Sequence, residues 1–330
     1  MGRPGPRGAP AAPALVLALV LLLAATAAGV AACGGDEAAE DGRPQVVTST
    51  AFLADMARNV AGERAAVKSL IPSGTDPHVF QPTPSHLRET AGADLVVLNG
   101  AGLESQLADM LREAGGDAAV IEAADGLQPR IPQPGEPAHE DESGGGEGDD
   151  AHASEVDPHF WLDPTLAVSY VTTIRDALIE VDPAGAGEYE RNAEAYIAEL
   201  DELDRWIAAQ VETIAPDDRQ LVMNHVSHGY YADRYGLRIV GAVIPGVSSG
   251  ETPSARDLAE LVATVRATGV KAIFVDIGED PGLGRQIAAE TGIEVVDDLR
   301  VHSLSEPGGG AATYIEMLRH DTQRIVEALR

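Results

Sequence analysis

The sequence predicts an α/β fold of two lobes, each a parallel sheet flanked by helices, joined by one long linker helix. Short apolar runs alternate with helical patterns in both halves of the 330-residue chain, and one uninterrupted helical pattern lies between them. Val46-Val47-Thr48 reads as a strand, Phe52 to Val60 as a helix, and Ala66 to Ile71 as a second strand. A helix from about Ser85 to Ala91, a strand Leu95 to Leu98, a helix Leu103 to Ala114 and a strand Ala119 to Ile121 continue the alternation. Thr165 to Val181 is helical in pattern and ends at Asp182-Pro183. From Gly187 to Ile214, Tyr189, Ala193, Tyr196, Ile197, Leu200, Leu203, Ile207 and Val211 recur at helical spacing. At about 1.5 Å per residue that pattern spans roughly 40 Å, the length of a rod tying two lobes together. The alternation then restarts with Gln220 to Met223, Arg238 to Ile244, a helix Ser254 to Thr268 and a strand Ala272 to Val275. A helix Leu283 to Thr291, a strand Glu294 to Val296 and a terminal helix Thr313 to Leu329 complete it. The expected lobes are therefore residues 46–184 and 215–330, with the linker at 185–214.

Residues 1–33 read as a targeting segment. Arg3 and Arg7 give a positive start, Ala14 to Ala28 is uncharged and apolar, and small residues follow to Cys33. Val30-Ala31-Ala32-Cys33 resembles the bacterial lipoprotein cleavage signal, with Cys33 lipidated; an ordinary signal peptide with an incidental cysteine is the alternative. Either way the mature chain is expected outside the cytoplasm, and in the first case it is held to the cell membrane through lipid alone. Cys33 is the single cysteine, so neither an intramolecular disulfide nor a cysteine zinc site can form. Gly34 to Gln45 is polar and small, a flexible tether. The net charge of −30 excludes nucleic acid as a partner, because a polyanion would be repelled. A soluble monomer is expected beyond the anchor. Residues 132–157 interrupt the alternation: Glu136 to Asp157 is rich in Asp, Glu and Gly, has no basic residue and includes His139 and His152. It reads as a mobile loop, either a solvated linker or a weak metal collector.

Four histidines from distant segments, His78, His159, His225 and His302, are the candidate metal ligands. Imidazole is the commonest protein ligand for a transition metal, and four such rings would close a tetrahedral zinc site. Sites in open parallel sheets lie outside the carboxyl ends of the strands. His78, His225 and His302 each follow a predicted strand and reach that edge. Two ligands would come from each lobe, so that the ion bridges them. Asp76-Pro77-His78 and Asp157-Pro158-His159 repeat one turn, in which proline fixes the backbone and the acid can hold an imidazole tautomer. His228, three residues after His225, is a reserve ligand sharing its face at a helix start; His86, His139, His152 and His320 stay outside the set.

These segments resemble the solute-binding component of zinc and manganese ABC transporters, the ZnuA and TroA-like group. The resemblance rests on Gly74-Thr75-Asp76-Pro77-His78 with Pro82-Thr83-Pro84, and on Asp157-Pro158-His159-Phe160-Trp161-Leu162-Asp163-Pro164. It continues in His225 with Gly229-Tyr230-Tyr231 and Tyr235-Gly236-Leu237, and in Ser303-Leu304-Ser305-Glu306 with Thr313-Tyr314 and Met317. The resemblance implies capture of a metal ion outside the cytoplasm, delivery to an ABC permease with its ATPase, and lobe movement restrained by the long helix. Three family ligands fall on His78, His159 and His225. The fourth is usually Asp just ahead of the serine that is Ser303 here, and this chain has His302 instead. An all-nitrogen shell favours Zn²⁺ over Mn²⁺, which prefers oxygen. Asp276, Glu279, Asp297 and Asp298 are carboxylates available should His302 turn away.

Two other readings compete. A zinc hydrolase needs an open coordination position and a general base, yet no His-Glu-x-x-His motif occurs. A surface adhesin or sequestering protein would keep the site and contact no permease.

Overall fold

The computed structural model describes residues 1, 2, 5, 42–114, 116–133, 135–137 and 156–330. The targeting segment with Cys33, residues 34–41 of the tether, and His139 and His152 in the acidic loop lie outside the described residues. Among the described residues no helix is long and apolar enough to cross a membrane.

The first sheet contains β1 (Gln45–Thr48), β2 (Ala66–Ser69), β3 (Leu95–Leu98) and β4 (Ala119–Glu122) in the order β2-β1-β3-β4, with every pairing parallel. The second contains β5 (Gln220–His225), β6 (Arg238–Ile244), β7 (Ala272–Asp276) and β8 (Glu294–Leu299) in the order β6-β5-β7-β8, again parallel. The two lobes thus repeat one topology. In each, the chain reverses direction across the sheet between its first and third strands, where open α/β sheets form crevices. Helices α1 (Ala51–Ala61), α2 (Pro84–Ala91), α3 (Ser105–Ala114) and α4 (Pro164–Val181) belong to the first half. Helices α6 (Gly229–Tyr235), α7 (Ala255–Thr268), α8 (Gly282–Thr291) and α9 (Tyr314–Leu329) belong to the second, and α5 (Ala186–Val211) joins them.

The long helix has 26 residues, about 39 Å at the usual rise. Its buried stripe is Tyr189, Ala193, Tyr196, Leu200, Leu203, Ile207 and Val211, seven of the eight positions the periodicity predicts. That stripe belongs to one continuous apolar core that also takes Leu95 and Val97 from the first sheet, Leu221 and Phe274 from the second, and Met317 from α9. The helix therefore packs both sheets into a common interior. Burying apolar surface in one shared core resists separation of the lobes, at about 25 cal/mol per Å² exposed. Helix α6, only seven residues long, is too short for periodicity to reveal, although Gly229-Tyr230-Tyr231 marked its place.

Candidate metal centre

Each candidate ligand sits at a point where the backbone is locally fixed. Pro77 opens a 3₁₀ turn, Pro77–Val79, and Asp76 caps it by accepting the His78 N–H at 2.9 Å. His159 stands at the start of the 3₁₀ turn Phe160–Leu162, where Asp157 Oδ1 accepts its N–H at 3.0 Å and its ring Nδ1–H at 2.8 Å. His225 ends β5, and the Glu279 carboxylate lies 2.5 Å from its Nδ1. The contact is close but not an aligned hydrogen bond, since both Glu279 oxygens are buried without an aligned donor. His302 follows β8, and Asp276 at the end of β7 accepts both its N–H at 3.0 Å and its Nδ1–H at 2.8 Å.

A carboxylate only accepts, so the rings of His159 and His302 carry their hydrogen on Nδ1 and leave Nε2 as a bare lone pair. Those lone pairs face one another. His159 Nε2 lies 3.2 Å from His78 Nε2, 3.3 Å from His225 Nε2 and 3.3 Å from His302 Nε2. One nitrogen from each of the four rings falls within 4.8 Å of all the others. A tetrahedral zinc ion with Zn–N bonds of about 2.0–2.1 Å has nitrogen–nitrogen edges of roughly 3.3–3.4 Å. The three distances from His159 match that edge. The donor set thus fits a transition-metal cation, which would take one lone pair from each of the four rings.

The protonation balance favours the neutral ring at two of the four histidines. Burial pushes His78 and His159 well below the ordinary imidazole value, and the neighbouring rings lower both further. His302 goes the other way: burial lowers it, but the hydrogen bond and charge of Asp276 outweigh burial and raise it. Burial likewise opposes ionisation of Asp276, yet its bonds from His302 and Gly278 hold it below the usual carboxylate range. Asp157 lacks that compensation and is pushed by burial to about 7, against the His159 N–H and the charge of Arg130.

The surroundings tie the ligand segments together. Trp161, fully buried beside His159, donates its indole N–H to the Val301 carbonyl at 2.9 Å, just ahead of His302. The Phe160 ring stacks on Tyr230 at 4.4 Å, and Tyr230 donates to the Asp157 carbonyl at 3.0 Å. Asn99 donates to the Pro158 carbonyl at 3.1 Å and accepts from Tyr170 at 2.8 Å.

The structure corrects several sequence expectations. His228 is not brought into the cluster: His225 is still in β5, so helical spacing does not relate the two. Its ring pairs with the Ser227 hydroxyl at 3.0 Å, and burial drives it down to about 3. Asp157 reaches a ring as expected, whereas Asp76 holds His78 through its backbone N–H. Asp297 and Asp298 pair with Arg285 and Arg324 away from the cluster. Sequence reasoning missed Asp276 and Glu279 as partners of ligand rings and considered them only as substitute donors. Their one signal was placement, at and just beyond the carboxyl end of β7 beside the strand that ends in His225.

The model of the family described as ZnuA, zinc-uptake complex component A periplasmic, matches residues 46–328. The chain belongs to this family. It is 32% identical over 314 residues to the manganese-binding lipoprotein MntA of Halalkalibacterium halodurans, covering 94% of this chain and 97% of the relative. The metal ABC transporter substrate-binding lipoprotein FimA of Streptococcus parasanguinis is 27% identical over 325 residues, covering 95% and 98%. Among solved structures, the periplasmic zinc-binding protein TroA of Treponema pallidum superposes with a TM-score of 0.76 at 25% identity, covering 87% of this chain and 99% of its own. As a member of the family the chain is a metal-binding solute-binding protein of ABC transport and not an enzyme. The hydrolase and adhesin readings gain nothing from these relatives. Manganese and zinc both appear in the relatives' names, so the choice of metal turns on this chain's own donors.

Proposed function

We propose that this chain captures Zn²⁺ with His78, His159, His225 and His302 and delivers it to an ABC permease powered by its ATPase. The observation that carries the reading is the convergence of four imidazole nitrogens, three of their contacts at the edge length of a zinc tetrahedron. His302, where relatives of the group usually place an acid, makes the shell neutral and all-nitrogen. Such a shell suits zinc, because manganese lies at the weak end of the divalent series and prefers oxygen. Residues 46–184 and 215–330 act as the two lobes around the ion, with 185–214 as the restraining helix. Cys33 carries the lipid that holds the mature chain outside the cytoplasm on the cell membrane, and the chain works as a monomer. The acidic loop with His139 and His152 serves as a weak collector near the His159 segment.

Equilibrium metal competition on the chain lacking residues 1–33, with elemental analysis, tests this. One equivalent of zinc is expected, abolished by His78→Ala and by His225→Ala. Manganese displacing zinc at equal concentration overturns the choice of metal. Parental zinc affinity in both variants overturns the ligand set.

A further inference from the structure

Three successive loops of the second lobe converge on a single turn of the first. Ser249, beyond β6, donates its hydroxyl to Asp76 Oδ2. Gly278, beyond β7, packs against the same turn: a Cβ there would be in ordinary van der Waals contact, 3.4 Å from both the Gly74 carbonyl oxygen and the Asp76 nitrogen. Ser303, beyond β8, accepts the Gly74 N–H at 2.9 Å. Asp76 spends its other oxygen on the His78 N–H, so a chain of contacts runs from Ser249 through Asp76 to His78. His78 also differs from its three companions. It is partly exposed while they are buried, and the carboxylate that holds it grips backbone rather than ring. Its ring must be aimed by the turn that bears it.

We infer that Ser249 and Ser303, with Gly278 in contact with the same turn, are positioning residues that seat His78 on the ion and set how long the metal stays. The inference rests on the reading of His78 as a ligand. None of the three touches the ion. Each acts by fixing the turn 74–76, from which the His78 ring projects. Because all three belong to the second lobe, the His78 turn travels with that lobe although its sequence belongs to the first. A small shift between the lobes would therefore leave His78 with His225 and His302 and move it relative to His159.

The test is zinc release from the intact mature chain to excess chromophoric chelator, followed by stopped flow. Substituting a residue that orients a metal ligand commonly weakens binding by about 10–100-fold. Ser249→Ala is expected to raise the off-rate about tenfold, Ser249→Ala with Ser303→Ala together about a hundredfold, and Ser249→Thr to restore the parental rate. Cobalt supplies a second readout: a seated His78 gives the strong visible bands of four-coordinate Co²⁺, and an unseated one admits water and weakens them. Off-rates and cobalt bands of Ser249→Ala matching the parent, while His78→Ala loses zinc, overturn the seating role and leave the site intact. Parental zinc binding in His78→Ala instead overturns the reading beneath it.

Discussion

The two lobes share one strand order but secure their clustered histidines by opposite means. In the first, the acid that fixes a histidine stands two residues ahead of it, as Asp157 does for His159 and Asp76 for His78. In the second, the acid arrives from a different strand or loop: Asp276 is 26 residues from His302, and Glu279 meets His225 from beyond β7. A local turn can form before the sheet is complete, whereas the cross-strand pair exists only once β5, β7 and β8 lie side by side. In the first lobe the acid–histidine contact is thus local to one turn, and in the second it reports on the folding of the sheet.

Removing a ligand outright is the harshest test of that contrast and should have the largest effect. His159→Ala, whose nitrogen lies within 3.3 Å of all three others, is expected to lose more zinc affinity than the roughly hundredfold upper range of an outer partner. Titration calorimetry or chelator competition measures it. A loss confined to a few-fold would mean that the cluster has no single centre.

Replacing the carboxylates comes next. Asp276 is ionised below the usual range and faces a His302 ring raised by it, so Asp276→Asn removes a full charge and should weaken zinc by about a hundredfold. Asp157 is pushed by burial to about 7, so Asp157→Asn removes less charge at neutral pH and should cost about tenfold. Equal losses would break the distinction between the lobes. These two residues also mark what the sequence made legible. Asp-Pro-His is a short motif with a mechanical reason, and it led to Asp157 directly. No spacing rule relates Asp276 to His302, because register between strands is a tertiary fact. The strand alternation and the stripe of α5 were equally readable. The common core beneath both sheets was not, since a periodic stripe shows which face is buried and not what buries it.

The pH dependence sharpens the same point. Zinc competes with protons for the rings, so affinity falls as pH drops. His302, raised by Asp276, takes a proton before His78 and His159, and Asp157 is protonated near 7. Zinc affinity should therefore decline between about pH 8 and pH 6, with a shallower slope in Asp157→Asn. In the metal-free fold the Asp276–His302 pair carries a pH dependence of its own. A histidine raised on folding contributes stability that is fully present below its unfolded value near 6.5 and lost as pH rises through its folded value. The lowered Asp276 contributes above its unfolded value near 3.8, and that share disappears as pH falls through its folded value. The pair accordingly stabilises the metal-free chain most between those limits. His78, His159 and His228, lowered by burial, instead cost stability as pH falls below about 6.5, so thermal melts of the metal-free parent and of Asp276→Asn across pH 4 to 8 should differ by the pair's share alone.

The smallest expected effect probes the tie between the lobes rather than the ligands. Trp161 stacks on Phe52 at 4.5 Å and donates to the Val301 carbonyl at 2.9 Å, linking the segment of His159 to that of His302. Trp161→Phe keeps an aromatic ring against Phe52 but leaves a buried carbonyl without its donor, which costs about 1–3 kcal/mol. Denaturant unfolding of the metal-free chain should show that loss as one cooperative transition, because α5 places both sheets in a single core. Zinc stoichiometry should remain one, since no ligand and no carboxylate partner is touched. Two separated transitions in the variant would instead mean that Trp161, more than the shared core, makes the lobes unfold together.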